Sequence, residues 1–162
     1  MKKLILVRHG KSGYEGFSSD KERNLSEIGI ERTVRVALDA NDFIDESFVF
    51  YSSSATRAFS TAAIFSEILK FPKEKINVID DLYTFNTDNL EQFVTEISNE
   101  LNSIVIFGHN PAFTDFINQN SNLKIDNLPT SGLVLIEFES ENWKNLPKGK
   151  VIKTLFPKDL QI

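Results

Sequence analysis

A chain of 162 residues, 41% hydrophobic and 25% charged, is long enough for one sizeable core and has the balance of an ordinary globular protein. The absence of cysteine excludes disulfides, thiolate catalysis and cysteine-based metal sites, and fits a cytoplasmic protein. A net charge of −5 argues against non-specific nucleic-acid binding, and no apolar run approaches the roughly 20 residues of a membrane helix.

Residues 1–162 are therefore expected to form a single domain, with neither membrane nor nucleic acid as a partner. Lys2 and Lys3 precede Leu4-Ile5-Leu6-Val7, an apolar run too short for a signal-peptide core and typical of a central parallel strand buried on both faces. That strand ends in Arg8-His9, and Gly10 then lets the chain turn. A polar loop over Gly13 to Asp20 comes next, at the carboxyl edge of the sheet. Ser26 is a candidate N-cap for a helix whose inner stripe reads Ile30, Thr33, Val34, Ala37 and Leu38. Ser47 to Tyr51 predicts the second strand. It runs through Ser52-Ser53-Ser54 into a helix with Ala58, Ala62, Phe65 and Leu69 facing inward.

Arg57 falls in the first turn of that helix, where a cation opposes the helix dipole. Two readings stand: a solvated arginine, or one that joins the free N–H groups of the helix in holding an anion. Lys75 to Ile79 predicts a third strand, with Asp80 and Asp81 at its carboxyl end. Asp88 and Glu91 mark the start of a helix with the stripe Leu90, Phe93, Val94, Ile97 and Leu101.

Ser103 to Phe107 is a second buried run, and it ends in Gly108-His109-Asn110-Pro111 before a short helix with Phe113, Phe116 and Ile117 inward. Thr130-Ser131-Gly132 introduces a strand over 133–138. Lys150 to Phe156 is expected to pair antiparallel with it through the Pro147-Lys148-Gly149 turn. Strands alternating with helices predict an α/β fold: a three-layer α/β/α sandwich with a mainly parallel mixed sheet and the first strand central. The sequence contains no repeats, linkers or low-complexity segments.

The chain has two histidines, and both stand one step past an apolar strand and beside a glycine. Satisfied strand-end histidines are one reading. In open α/β sheets, however, ligands bind beyond the carboxyl ends of strands, which makes His9, His109 and Arg8 candidate site residues. Two histidines without converging carboxylates make a poor metal site, and adjacent arginines would repel a cation. No G-x-S-x-G elbow supports a nucleophilic serine. Phosphoryl transfer fits best, because guanidinium groups bind phosphate oxygens and a neutral imidazole can attack phosphorus. No metal or cofactor is needed for that set.

Arg8-His9-Gly10, Arg57 in a Ser-rich strand-to-helix turn and Gly108-His109-Asn110-Pro111 together resemble the histidine phosphatase superfamily, with its phosphoglycerate-mutase-like fold. The likeness covers most of the chain. Its small size, Arg23-Asn24-Leu25-Ser26 with Gly29, Thr130-Ser131-Gly132 and the Trp143, Pro147, Gly149 pattern are most similar to the SixA-type phosphohistidine phosphatases. The resemblance implies His9 as nucleophile through a phosphohistidine intermediate, Arg8 and Arg57 as phosphate ligands, and His109 as the group completing the pocket. Asn110 and Pro111 would aim His109. Ser12 is either a phosphate contact or a turn serine, and Lys11 is read as solvated.

Larger members of the family place a carboxylic acid at the leaving group. Here Asp81 is the nearest candidate for a weak general acid and Asp80 a lesser one, with ordinary turn aspartates as the equal alternative. Only Phe71 to Asn89 separates the second and third helices, which predicts a shallow, open pocket unsuited to mutase chemistry. The implied activity is a phosphatase acting on phosphohistidine in proteins. The alternatives are a small-molecule phosphomonoesterase and a phosphate-binding regulatory module without turnover.

Overall fold

A computed structural model of the chain describes residues 1–13 and 19–160. Six strands, β1 (Lys2–Arg8), β2 (Val49–Ser53), β3 (Asn77–Ile79), β4 (Ser103–Gly108), β5 (Leu133–Phe138) and β6 (Lys150–Leu155), form one sheet in the order β3-β2-β4-β1-β5-β6. The β1–β4, β2–β4 and β2–β3 pairs are parallel, and β5 and β6 add an antiparallel edge. This is the expected mixed α/β sandwich. Among the described residues four helices cover its faces: α1 (Glu27–Ala40), α2 (Thr56–Leu69), α3 (Thr87–Thr95) and α4 (Ala112–Asn120).

The apolar run of β1 explains the layering. Successive strand side chains alternate faces, so Leu4 and Leu6 enter one core with residues of α3 and α4, while Ile5 and Val7 enter the other with α1 and α2. All four are fully buried. At about 1.5–3 kcal/mol for each such side chain, the strand that ends at His9 is among the most strongly held parts of the chain.

The chain differs from its sequence-based expectation in several places. The buried face of α1 is Gly29, Thr33, Val36, Ala37 and Ala40, whereas Ile30 and Leu38 are 44% and 51% exposed. Small residues let the helix approach closely: a Cβ on Gly29 would lie 2.1 Å from the Lys11 carbonyl oxygen. Close contact thus outweighs the burial of two larger side chains that the periodicity favoured. α3 stops at Thr95, because Ser98 starts a turn that takes the amides of Glu100 and Leu101, leaving Ile97 and Leu101 to pack from beyond the helix. β3 is only the edge strand Asn77–Ile79, preceded by a 3-10 turn at Lys73–Lys75. β5 and β6 are joined by residues 139–149, which carry the fully buried Trp143, rather than by a tight turn alone.

Lys2, expected as a flanking charge, is buried. Its Nζ donates to the Asn99 and Leu101 carbonyls and to Asn102 Oδ1, and lies over the Trp143 ring. The ammonium is tolerated because three acceptors replace its water. Of the loop expected over 13–20, residues 14–18 lie outside the described residues. No helix among the described residues is long and apolar enough to cross a membrane.

Candidate active site

The carboxyl ends of β1 and β4 are adjacent, with Arg8 paired in register with Gly108, so the topology alone brings His9 next to His109. Their ring centroids are 5.2 Å apart. The backbone at this point is held from several sides. His9 N–H donates to the Gly108 carbonyl, Arg8 N–H to the Gly132 carbonyl, and Ser131 N–H to the carbonyls of both Arg8 and His9. Ser131 meets them in the left-handed region at φ 63, with its hydroxyl 2.8 Å from Thr33 Oγ1 on α1. A side chain held in an uncommon backbone region at a strand end marks a place where position is tightly specified.

The loop after β1 is fixed to α1. The Lys11 carbonyl accepts from the amide and hydroxyl of Ser26, whose Oγ in turn caps Gly29 N–H. Gly10 N–H donates to Thr61 Oγ1 of α2. These contacts place Lys11 and Ser12 on the rim of a cleft of about 340 Å³. Its walls bring together Arg8, His9, Arg57 and Arg23 with the polar groups of Asn110 and Thr130. Such a concentration of guanidinium groups makes the cleft locally cationic in a chain of net negative charge.

The tautomer of His9 is set by its partners. Nδ1 lies 2.8 Å from the Gly10 carbonyl, which can only accept, and Arg57 Nε–H donates to Nε2 at 3.4 Å. Nδ1 therefore carries the proton and Nε2 presents a lone pair into the cleft. Burial first, then the Arg57 charge, lower the His9 pKa to about 4, the Gly10 carbonyl acting in the opposite direction. At neutral pH the ring is uncharged.

His109 is also buried. Its pKa is lowered to about 3, chiefly by burial and then by His9 and Arg57. Its Nε2 contacts Ser53 Oγ at 2.8 Å, while Nδ1 is buried without a hydrogen-bond partner among the described residues. Arg8 donates through one Nη to the Leu128 carbonyl, and its Nε is likewise buried and without a partner among the described residues. Leu128 O also accepts from Asn110 Nδ2, and Asn110 Oδ1 takes the amide and hydroxyl of Thr114. Asn110 thus ties the loop bearing His109 to the support of Arg8. Buried unsatisfied groups are uncommon in folded proteins, and these two belong to residues at the neighbouring ends of β1 and β4.

Arg57 is 2% exposed, so the solvated reading of it fails. Its Nη1 donates to the Asp20 carbonyl and its Nη2 to Asp20 Oδ2, at 2.7 and 3.0 Å. Sequence reasoning missed Asp20, which lies in a 3-10 turn beside the cleft. Tyr83 donates its hydroxyl to the same oxygen at 2.6 Å, and Arg23 pairs with the other oxygen at 2.9 Å. The Tyr83 hydrogen bond above all, and Arg57 after it, lower the Asp20 carboxyl to about 2. The carboxylate at this site is an ionised acceptor rather than a proton donor. Asp81, the expected weak acid, is exposed and lines a separate groove with Glu96 and Asn89, and Asp80 pairs with Lys21 at the surface. Neither lines the cleft of His9.

The spacing Asp20-x-x-Arg23 directly before the Ser26 cap was the available signal for the missed pair. Tyr83 and Phe85, alternating after the third strand, were the signal for an aromatic wall beside His109. Among the described residues no group of three or more His, Asp or Glu side chains is arranged to hold a metal ion.

A sheet of this order with histidines at two neighbouring strand ends and arginines around them defines the phosphoglycerate-mutase-like class of enzymes. The chain belongs to the histidine phosphatase superfamily (branch 1), whose family model matches residues 4–103. His109 lies beyond the matched segment. Similar solved structures include the protein histidine phosphatase SixA in complex with tungstate, at a TM-score of 0.79 and 18% identity over 97% of this chain and 98% of that one. A SixA protein of Agrobacterium tumefaciens aligns at 0.77 and 20% over 95% and 97%. A mycobacterial glucosyl-3-phosphoglycerate phosphatase aligns at 0.70 and 13% over 94% and 97%. No curated protein matches the sequence. Family and fold support a phosphatase, and at these identities the structural likeness speaks for the fold alone.

Proposed function

We propose that the protein is a metal-independent phosphatase that works through a phosphohistidine intermediate on His9 and acts on phosphohistidine in proteins. The observation that carries this reading is the His9 ring itself: proton held on Nδ1 by the Gly10 carbonyl, lone pair on Nε2, and Arg57 Nε alongside.

In the first step Nε2 attacks phosphorus, the N–P bond to His9 forms, and the bond from phosphorus to the leaving group breaks. Arg8 and Arg57 offer charged donors to the phosphoryl oxygens, where the transition state concentrates charge. His109 Nδ1, without a hydrogen-bond partner among the described residues, would add an uncharged contact beside them. In the second step water attacks phosphorus, phosphate departs with the incoming oxygen, and His9 Nε2 regains its lone pair. Ser12, on the rim of the cleft, would add a hydroxyl contact.

The leaving group determines the substrate class. An alkoxide needs a positioned acid, commonly contributing about 10²–10⁴-fold, whereas a phosphorylated imidazole leaves readily once its ring is protonated. Among the described residues the carboxylate lining this cleft is Asp20, which is held ionised. That SixA binds tungstate, an oxyanion of phosphate shape, in the same fold is consistent with an anion site here.

The test is kcat/KM on a histidine-phosphorylated protein domain beside alkyl phosphates and nucleotides, with and without exhaustive EDTA treatment. Faster turnover of phosphohistidine, unchanged by chelation, supports the proposal. Turnover of small phosphate esters with none of phosphohistidine would replace it with the phosphomonoesterase reading, and loss of activity restored by Mg²⁺ or Zn²⁺ would replace the mechanism.

A further inference from the structure

Charged and polar groups make up the lining of the His9 cleft among the described residues, with one apolar exception, Phe85. It stands 48% exposed in the loop between the 3-10 turn Asp80–Leu82 and α3. Single exposed apolar side chains are common and need no explanation. This one is different because of what holds it. Its ring centroid lies 5.4 Å from His109 and 5.7 Å from Tyr83, and Tyr83 is itself 5.3 Å from His109. The Tyr83 hydroxyl is fixed to Asp20, the residue that also holds Arg57. Phe85 is therefore placed relative to the phosphate clamp by a chain of specific contacts. Its planes with His109 and Tyr83 are inclined at 76° and 74°, so neither ring stacks parallel upon it.

A phosphoryl group has no use for an aromatic surface, whereas a leaving group can have one. We propose that Phe85 is a specificity residue that stacks against a planar aromatic leaving group, the imidazole of phosphohistidine, and so favours it over an aliphatic one. The inference rests on the phosphatase reading of the cleft and goes beyond it by assigning the selection of the leaving group to one side chain outside the phosphate-binding set. An aromatic pair of this kind corresponds to about three- to tenfold in kcat/KM.

The experiment compares wild type, Phe85→Leu and Phe85→Tyr on four substrates: N-phosphoimidazole and phenyl phosphate, which carry a ring, and phosphoramidate and glycerol phosphate, which do not. The expected result is a loss of about three- to tenfold in Phe85→Leu on the two ring-bearing substrates, with the other two changed by less than about twofold. Phe85→Tyr retains wild-type selectivity, and the pH profile of all three proteins is the same. Equal losses on every substrate, or a shifted pH profile, would mean that Phe85 acts by positioning His109 and would overturn the inference alone. No loss on the ring-bearing substrates would overturn it as well. Failure of the wild type to hydrolyse any of the four would overturn the phosphatase reading, and the inference with it.

Discussion

Replacing Arg57 with alanine removes three donors at once: Nε from His9 Nε2, and Nη1 and Nη2 from Asp20. Loss of one preorganised donor to a developing charge typically costs about 10²–10³ in rate, or about 2.7–4 kcal/mol. Arg57 is almost fully buried, so solvent screening does little to reduce that figure. Folding should survive, because Asp20 keeps Tyr83 and Arg23 as partners. Arg57→Ala is thus expected to lower kcat/KM by about 10²–10³ with an unchanged circular dichroism spectrum. Arg57→Lys should restore only a small part of the loss, since one ammonium cannot reach His9 and both acceptors on Asp20 together. The assay is steady-state hydrolysis of a chromogenic aryl phosphate and of phosphohistidine, with each variant checked by thermal melting. Activity within about threefold of wild type in a folded Arg57→Ala protein would refute the reasoning that joins this guanidinium to the reacting phosphoryl group.

With two histidines in the chain, imidazole resonances can be assigned by single substitution, and NMR titration should place His9 near 4 and His109 near 3. Values near 6.5 would contradict the burial argument. Because both folded pKa values lie below the unfolded one, the unfolded state binds protons first, and stability should fall as pH drops from about 6.5 towards 4, by about 1–2 kcal/mol for each ring between about pH 7 and 5. His109→Asn should show a smaller fall in urea unfolding, and an undiminished fall would exclude its share. Asp20→Asn removes a half-exposed negative charge from the anion site, so the inhibition constant for tungstate should fall about two- to fivefold while kcat also falls; weaker tungstate binding would show that Asp20 supports the site rather than competing within it. Gly29→Ala forces a Cβ against the Lys11 carbonyl and should cost about 1–3 kcal/mol, measured by urea denaturation; a loss below about 0.5 kcal/mol would show that α1 can move away freely.

How much of this was legible in the sequence depends on how local each signal is. Leu4 to Val7 and Ile104 to Phe107 are apolar without interruption, which identifies strands buried on both faces, and the residues just past such a strand must lie at a sheet edge. His9 and His109 could therefore each be placed at the sheet edge from sequence, whereas the pairing of β1 with β4 is what makes them neighbours. Arg57 was legible as an anomaly at a helix start, although its partner was not. Asp20, Arg23 and Tyr83 meet only because a loop and a 3-10 turn fold back over the strand ends, and no periodicity encodes such a path. The inner face of α1 was misjudged because the contact is made by Gly29 and Ala37, which hydrophobic patterning undervalues against Ile30 and Leu38. Lys2 shows the same limit from the other side: three backbone and amide acceptors far along the chain make a buried ammonium acceptable. The acid expected at Asp81 was inferred from proximity to a strand end, but that edge strand carries it away from the cleft.

The central claim is that His9 Nε2 becomes covalently bonded to phosphorus, and trapping the phosphoenzyme tests it most directly. Brief incubation with a ³²P-labelled histidine-phosphorylated protein, a quench in alkali and peptide mapping should locate the label on His9. The bond should be labile to acid and stable to base, as a phosphoramidate is, and His9→Ala should take up no label while His109→Asn retains some. Label on another residue, or turnover by His9→Ala with an undiminished phosphoenzyme, would contradict the account.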